Sequence, residues 1–307
     1  MKFELPHRDS GYYPQVVLTL NGIPDEKIFH IEHGLMHPVD IFVTTFNDAT
    51  ESASRLTKRI NSIILLKKEN EDIRLEEIDD IRVDIFNFLF FSANFIEACQ
   101  SIIKSLFEKN SKQAGKAARE FNGLTIEYRA HVSKIINFIK HQHRRIRPIT
   151  GAWGNKIIVG YYVEGVVAAN VIGPDPEVHP DSNSAISLNR DIPYHVVNLY
   201  FMCSCLDTIV RKHIKVAQIA QPNLDGNKIF SLLQEISKIP LNYFPNEINK
   251  SIPLISTHTS PSDRALLEYP GRKKAENRKP HNMNISLTSI MGVRSRSLKL
   301  PYSPIDS

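Results

Sequence analysis

The sequence predicts a mainly helical fold of the α+β class: a helical bundle with two long antiparallel helices, decorated by short strands and a hairpin. Apolar residues recur at three- and four-residue steps across 76–108 and again across 124–145, which is typical of long amphipathic helices. In contrast, the 156–171 segment is β-branched and interrupted by Glu164 and Gly165, which favours paired strands. With 42% hydrophobic and 23% charged residues, the chain has enough apolar material for a buried core.

The N-terminal segment, 1–47, is predicted to be rich in strands. The run 12–20 contains many β-branched and aromatic residues and ends at an Asn-Gly turn pair. Two further short runs, 27–32 and 40–45, are additional strand candidates. Asp48 is a residue type that caps helix N-termini, so a helix is expected from there to about 66.

A helical domain is predicted over 48–249, with a β-hairpin inserted near 155–190. Pro148 should stop the second long helix, because proline lacks the backbone N–H donor and clashes with the preceding turn. A short helix, two hairpin strands, a third strand and two later helices are expected at 111–120, 156–163, 166–171, 185–188, 193–217 and 227–239.

The C-terminal segment, 250–307, is predicted to be a basic, partly irregular tail. It carries ten Lys or Arg against four Asp or Glu, and its apolar periodicity is weak. Five of the cations fall within 271–280, a run that either contacts nucleic acid or is simply solvated. The solvated tail is favoured, because such runs are common in unstructured segments.

Missing motifs exclude several function classes. The sequence contains neither GxGxxG nor GxxxxGK[ST], so Rossmann and P-loop nucleotide sites are not expected, and it lacks the GxSxG of nucleophile-elbow hydrolases. Three cysteines are too few for a disulfide scaffold and predict a reducing, cytoplasmic location. No run of 18 apolar residues and no secretory signal pattern occurs, so no membrane association is expected.

The second long predicted helix presents an imidazole, an amide and several cations on one polar face. On a helical wheel its apolar residues occupy a narrow arc, and the opposite side forms a stripe at steps of three, four and three residues. We refer to this set as the polar stripe of the helix. The stripe itself consists of Lys134, Asn137, His141 and Arg144. Lys140 and Arg145 flank it, and Arg147 is the next cation along the chain.

The stretch from Ile136 to His141 resembles the signature of HEPN-type helical domains. In that family an Arg is followed a few residues later by His, often with a polar residue directly after the Arg. Asn137 matches the polar position and His141 matches the His, whereas Ile136 stands where the family has Arg. The resemblance implies a helical bundle, often dimeric, in a group with many metal-independent ribonucleases of toxin–antitoxin and antiviral systems.

The resemblance and the chemistry of RNA cleavage together imply roles for these side chains. Cleavage without metal needs a base for the 2′-OH, an acid for the leaving oxygen and positive charge at the phosphate. His141 would be the acid or base, Asn137 would orient it, and Arg144 or Lys140 would replace the missing Arg. The expected partners are RNA, a second copy of the chain and a protein partner such as an antitoxin, and no cofactor or metal is expected. The remaining expected RNA contacts are Lys134, Arg145 and Arg147.

Two other functions compete with RNA cleavage. The polar stripe equally suits a non-catalytic interaction or scaffold protein, because cations near a helix C-terminus are favoured by the helix dipole alone. A metal-dependent hydrolase would use the histidines of the 30–37 segment, although their spacing matches no zinc module. The acidic loop 175–181 is expected to be a surface loop rather than a Mg²⁺ or Ca²⁺ site. Cys203 and Cys205 are expected to be buried small residues.

Overall fold

The computed structural model describes residues 2–4, 11–69, 75–153, 156–216, 227–248, 250, 253–257, 265–268, 283–286 and 297–303. These residues form an α+β fold in which helices pack on one another and against a mostly antiparallel sheet. The helices are α1 (Val16–Asn21), α2 (Pro38–Lys68), α3 (Leu75–Ser105), α4 (Lys112–Leu124), α5 (Ile126–His141), α6 (Leu188–His213) and α7 (Asn227–Lys238). The strands are β1 (Lys2–Glu4), β2 (Arg145–Trp153), β3 (Lys156–Ala168), β4 (Val171–Pro174), β5 (Ile186–Ser187), β6 (Leu254–Thr257), β7 (Ala265–Glu268), β8 (Asn284–Ser286) and β9 (Ser297–Leu298).

The most extensive helix–helix contact joins α2 and α3. The ring centroids of Phe42 and Phe46, in the first half of α2, each lie 5.7 Å from the ring centroid of Phe95, in the second half of α3. Further along α2, Arg59 forms ion pairs with Asp80 and Asp84, in the first half of α3. The predicted bundle centred on the helices of 76–108 and 124–145 is not confirmed, because α5 has 16 residues against 31 in α3 and packs on it less extensively.

The larger sheet has the strand order β8-β2-β3-β4-β9, with β5 paired to β3. Its long central pair, β2 and β3, runs antiparallel in a register that opposes Arg145 to Glu164 and Trp153 to Lys156. The smaller sheet has the order β1-β7-β6. The described part of the C-terminal segment therefore contributes edge strands to both sheets, and the basic run 271–280 lies outside the described residues.

Among the described residues of 1–47, the strand is β1, and the strands predicted at 12–20, 27–32 and 40–45 are wrong because helical elements occupy those runs. The 12–20 run contains α1, whose Val16, Val17 and Leu20 are buried at helical spacing. A short apolar, β-branched run fits either a strand or a buried helical turn, and here the contact with α6 favours the helix. The helix predicted to begin at Asp48 begins ten residues earlier, because Pro38 occupies its first turn and the side chain of His37 caps it.

The second predicted long helix ends earlier than expected. Its last residue is His141, and His143 adopts a left-handed conformation with φ of 56°. The backbone N–H groups of Gln142 and Arg144 both donate to the carbonyl of Phe138, which closes the helix. The chain then enters β2, so Arg145 and Arg147 lie on a strand and not on the polar face of a helix.

The hairpin predicted from 156–163 and 166–171 is instead one continuous strand, β3, which pairs with β2 on one side and β4 on the other. Glu164 and Gly165 do not form a turn. Glu164 is buried in an ion pair with Arg147 across the sheet. Gly165 lies under Asp175, where an added Cβ would come within 2.0 Å of the carboxylate oxygen. Glycine is required here by a close approach and not by a reversal of the chain.

Two other predicted helices are present close to their expected positions. Helix α4 begins after Ser111, whose hydroxyl accepts a hydrogen bond from the N–H of Gln113, and α7 occupies the expected 227–239 region. Cys203 and Cys205 are buried in α6. That helix was expected to open at Pro193, but it begins at Leu188 and contains the proline within its first turns.

One described helical segment, Asp79–Ser105 of α3, is long and apolar enough to cross a membrane by length and composition alone. Half of its most apolar window is buried inside the protein. The contacts of this helix with α2, α5 and the sheet bury that half.

Candidate metal centre and adjoining cleft

Three potential metal ligands come together where α5 meets α6. His131 lies on α5, and Asp191 and His195 lie one turn apart on α6. Among the residues that the structure describes, this is the one group of three such side chains whose ligand atoms all lie within 4.8 Å of one another. We call these three residues the HDH cluster.

The HDH cluster is held in place by the sheet. Near the start of α6, the side chain of Asn189 accepts a hydrogen bond from the N–H of Val159 on β3. This bond anchors the helix to the strand. Two residues further along β3, the hydroxyl of Tyr161 donates to Oδ2 of Asp191 at 3.0 Å. This contact fixes the carboxylate with Oδ2 nearest His195 and Oδ1 nearest His131.

The distances within the HDH cluster suit a shared ion. Nε2 of His195 lies 3.4 Å from Oδ2 of Asp191, and Nε2 of His131 lies 3.9 Å from Oδ1. In tetrahedral zinc sites the metal lies about 2.0–2.2 Å from each N or O ligand, which separates ligand atoms by slightly over 3 Å. Small side-chain adjustments would therefore bring the three atoms to ligating distance.

Three atoms of the HDH cluster are buried and have no hydrogen-bond partner in the structure: Nε2 of His131, Oδ1 of Asp191 and Nε2 of His195. A buried polar atom without a partner is costly, so it generally indicates a water or an ion that binds it. Here the unpartnered atoms come from all three residues and point to one place. This convergence is the strongest indication of a ligand site in the described residues.

A hydrogen bond behind the HDH cluster orients His195. Its Nδ1 lies 2.9 Å from the hydroxyl oxygen of Tyr128 on α5. A metal at Nε2 would require the tautomer with the proton on Nδ1, which would then donate it to Tyr128. The ring of Phe88 packs edge-on against the imidazole at 5.1 Å and restricts its rotation. Metal-binding histidines usually have such a partner on the other ring nitrogen.

The protonation states suit metal binding. Burial of the ring lowers the pKa of His131 to about 4, and the attraction of Asp191 only partly opposes this effect. The imidazole is therefore neutral at pH 7, which is the form that ligates metals. Burial alone would raise the pKa of Asp191, but the attraction of His195, and to a smaller extent of His131 and Arg190, leaves it below its ordinary value, so the group is a carboxylate.

A cleft of about 590 Å³ opens beside the HDH cluster. His131 and Asp191 contribute to its wall, and the side chain of His131 is 35% exposed, so the cleft reaches the cluster from that side. Its volume lies within the range of sites for small-molecule ligands, roughly 300–1,000 Å³. Its charged lining residues are Lys134, Arg190, Asp191, Glu247 and Lys250.

The polar stripe predicted as the RNA-cleaving site does not form one group. Asn137 and His141 are exposed on α5, while Lys134 lines the cleft. Lys140 lies over the ring of Phe90, 4.6 Å from its centroid. The other members are separated from these by the end of the helix.

The three arginines of the predicted site have different surroundings. Arg144 forms an ion pair with Asp175, with Nε 2.9 Å from the carboxylate oxygen. Arg145 is exposed at the first position of β2. Arg147 is buried in an ion pair with Glu164, so the prediction that it contacts RNA is corrected: its guanidinium is committed to a carboxylate in the interior.

The histidines of the 30–37 segment, the alternative metal site, do not form one group either. The rings of His30 and His37 lie edge-to-face at 5.4 Å, and Nδ1 of His37 caps α2. His33 contacts the carbonyl of Phe107, and Glu32 accepts the N–H of Lys109. These residues therefore anchor the chain to the end of α3 and do not converge on one point.

The acidic loop is partly interior. Asp175 is buried with Arg144, and buried His179 accepts the backbone N–H of Val163 at 2.9 Å through Nε2. The expectation of a plain surface loop is therefore wrong for these two residues, although Glu177 is exposed. The backbone of Glu177 bonds to the Asp175 side chain, which stabilises the turn.

Sequence reasoning missed the HDH cluster for a local reason. Asp191 and His195 are four residues apart and share one helix face only if α6 begins before Asp191. The helix predicted from the sequence begins at Pro193, so Asp191 lies outside it. The available signal was Ser187, which precedes Leu188 in the extended conformation of an N-cap residue.

Comparisons with known proteins yield no match. No protein-family model, no curated protein and no solved structure matches this chain. Functional inference therefore depends on the geometry of the HDH cluster and its cleft.

Proposed function

We propose that this protein is a metal-dependent hydrolase whose metal ligands are His131, Asp191 and His195. The observation that carries the proposal is the convergence of three buried, unpartnered ligand atoms on one point. Two imidazoles and one carboxylate form a ligand set found in catalytic zinc sites, which keep a further position for water or substrate. The cleft beside His131 gives substrate access to that position.

The residues around the ion would have distinct roles. Zn²⁺ bound by such a set supplies a water whose pKa is near 7, a nucleophile at neutral pH. Asp191 lowers the net charge of the centre, Tyr161 fixes its orientation, and Tyr128 fixes the ring of His195. The chain would thereby hold the ion with two ligands, Asp191 and His195, that hydrogen bonds already orient.

Zinc titration of the full chain tests the metal proposal, followed by assays of hydrolysis with and without EDTA. The informative variant is His131→Gln, because this residue is the least buried ligand and its loss should leave the fold intact. The matched control is His141→Gln, an exposed histidine on the same helix. We expect one tightly bound zinc in the wild type and the control, and weak or no binding in His131→Gln. Equal binding by all three proteins would overturn the proposal.

A second candidate is metal-independent RNA cleavage by a HEPN-like helical bundle, at the exposed face of α5. The observation that favours it is that Asn137 and His141 lie one turn apart and are both exposed, with exposed Lys134 one turn earlier. Two such faces would form a shared groove in a homodimer. RNA degradation in the presence of EDTA that is lost in His141→Ala would support this candidate, and degradation that requires zinc would exclude it.

The non-catalytic alternative has its own supporting surface. Leu124 and Ile126, at the junction of α4 and α5, are 51% and 61% exposed. They border a groove that also includes Phe201 of α6. Tyr128 and Tyr194 also line this groove and contact His195, so a protein partner bound there would lie beside the HDH cluster. Substitution of Ile126 by Ser tests this role, because it should abolish a partner interaction without changing zinc content.

A further inference from the structure

We propose that the cleft beside the HDH cluster binds the phosphoryl group of a phosphate ester, and that Lys134, Arg190 and Lys250 recognise it. This inference rests on the proposed metal-dependent hydrolase function and names the substrate class of the same site. The observations are the position of the three cations in one wall, the charge balance of the cleft and its continuity with two of the metal ligands.

The cations come from three separate parts of the chain. Lys134 is one turn after His131 on α5, Arg190 directly precedes Asp191 on α6, and Lys250 follows the short helix Pro245–Glu247. Arg190 lies over the ring of Tyr194, 5.1 Å from its centroid, which restrains the guanidinium. Arg190 and Lys250 share the lining of the cleft with His131, so both cations border the space from which the metal would be reached.

The two carboxylates in the cleft already accept hydrogen bonds from other groups of the chain. Asp191 belongs to the HDH cluster and accepts a hydrogen bond from the hydroxyl of Tyr161. Glu247 is fully buried and accepts the backbone N–H groups of Ser187 and Phe244 at 3.3 and 3.1 Å. These contacts occupy both carboxylates, and the three cations outnumber them in the lining of the cleft.

The charge balance favours a doubly charged anion. The lining holds three cations and two carboxylates, and a divalent ion would increase the positive excess further. A phosphate monoester carries close to two negative charges at pH 7 and offers several strong acceptor oxygens. A simple carboxylate carries one charge. A planar guanidinium can donate two parallel hydrogen bonds to phosphate oxygens, which matches Arg190 to this group.

The reaction implied for such a substrate is hydrolysis of the ester. The oxygen of water forms a bond to phosphorus, and the bond between phosphorus and the ester oxygen breaks. One proton of the water is transferred to that leaving oxygen, so the products are an alcohol and inorganic phosphate. The cations contribute by holding the equatorial phosphoryl oxygens, where negative charge is concentrated in the transition state.

Isothermal titration of inorganic phosphate into the zinc-loaded full chain tests the inference, with acetate as the comparison anion. We expect phosphate to bind in preference to acetate, and Lys250→Gln and Arg190→Gln each to weaken phosphate binding by about tenfold or more. Lys112→Gln, an exposed lysine at the start of α4, is the matched control and should bind phosphate like the wild type. Zinc content is measured in every sample.

The outcomes separate the two proposals. If no zinc binds, the proposed function fails. If zinc binds but phosphate does not, or if Lys250→Gln and Arg190→Gln bind phosphate as well as Lys112→Gln, the phosphoryl inference fails while the metal centre stands. A nucleoside monophosphate and a single-stranded RNA oligonucleotide distinguish the source of the phosphoryl group: release of inorganic phosphate indicates a monoester substrate. Shortening of the RNA without phosphate release would contradict the monoester and indicate an internal phosphodiester.

Discussion

Tyr128 of α5 and His195 of α6 are joined by a hydrogen bond of 2.9 Å between the phenolic oxygen and Nδ1. Both side chains are buried, and the bond connects the two helices that supply the HDH cluster. It orients the imidazole of His195, and a metal at Nε2 would require the tautomer in which Nδ1 carries the proton and donates it to Tyr128. The competence of the metal site therefore depends on a residue that does not itself ligate.

Tyr128→Phe should weaken zinc binding about 10- to 100-fold while the protein remains folded, because the imidazole loses the partner that fixes its orientation. Competition with a zinc chelator measures the affinity, and circular dichroism checks the fold. Tyr194→Phe is the control, because its ring also packs against His195, at 5.7 Å. Similar zinc affinities in the two variants would show that the Tyr128 hydroxyl does not orient the ligand.

The buried ion pair between Arg147 and Glu164 should be important for stability. Arg147→Met leaves a buried carboxylate without its partner, and we expect a loss of about 3–5 kcal/mol in the free energy of unfolding. The double variant Arg147→Met with Glu164→Met should recover most of this loss, because both charges are then removed. Urea denaturation measures both values. A double variant as unstable as the single one would contradict this explanation.

Stability should fall as the pH is lowered through the range in which His179 titrates. Burial lowers the pKa of His179 in the folded protein to about 3, and the positive charge of Lys250 adds to this effect. The unfolded chain has an ordinary pKa of about 6.5, so it binds the proton first. The stabilisation is complete above pH 6.5 and is lost progressively toward pH 3.

Urea denaturation at pH 7 and pH 4 measures this dependence, with His179→Gln as the comparison. The glutamine can still accept the N–H of Val163 but does not titrate. Its free energy of unfolding should therefore change less between the two pH values than that of the wild type. The same change in both proteins would show that other groups account for the acid sensitivity.

The apolar side of α5 should tolerate no charge. Ile135 is 2% exposed, and Ile135→Asp would bury an unpaired carboxylate at a cost of several kcal/mol. We expect insoluble protein or a greatly lowered thermal midpoint. Ser133→Asp, at a neighbouring exposed position, should leave the midpoint nearly unchanged. Comparable midpoints in the two variants would overturn the assignment of the buried face.

Long periodic segments could be predicted from the sequence, and element ends could not. The buried faces of α3, α5 and α7 follow from apolar residues at helical spacing, as Tyr128 and Ile135 illustrate. The end of α5 depends on the left-handed conformation of His143, which is not a residue that signals such a turn. The short run containing Val16 and Leu20 fits a strand as well as a helix, and only its packing against α6 decides.

The HDH cluster was harder to predict than the fold. Asp191 and His195 show a four-residue spacing that becomes meaningful only once α6 is known to begin at Leu188. His131 is far from both in sequence, and its position beside them depends on how α5 packs against α6 and β3. The residues of the polar stripe are close in sequence, yet the turn after His141 separates the arginines from the histidine.

Zinc K-edge X-ray absorption of the stoichiometrically loaded full chain tests the central claim most directly. Imidazole rings give characteristic outer-shell scattering, so the spectrum reports how many histidines bind the ion. The metal centre predicts two imidazoles and one carboxylate oxygen at about 2.0–2.2 Å, with one imidazole lost or the zinc released in His131→Gln. Failure to retain zinc after dialysis, or a spectrum that His131→Gln leaves unchanged, would contradict the assignment of His131, Asp191 and His195 as the metal centre.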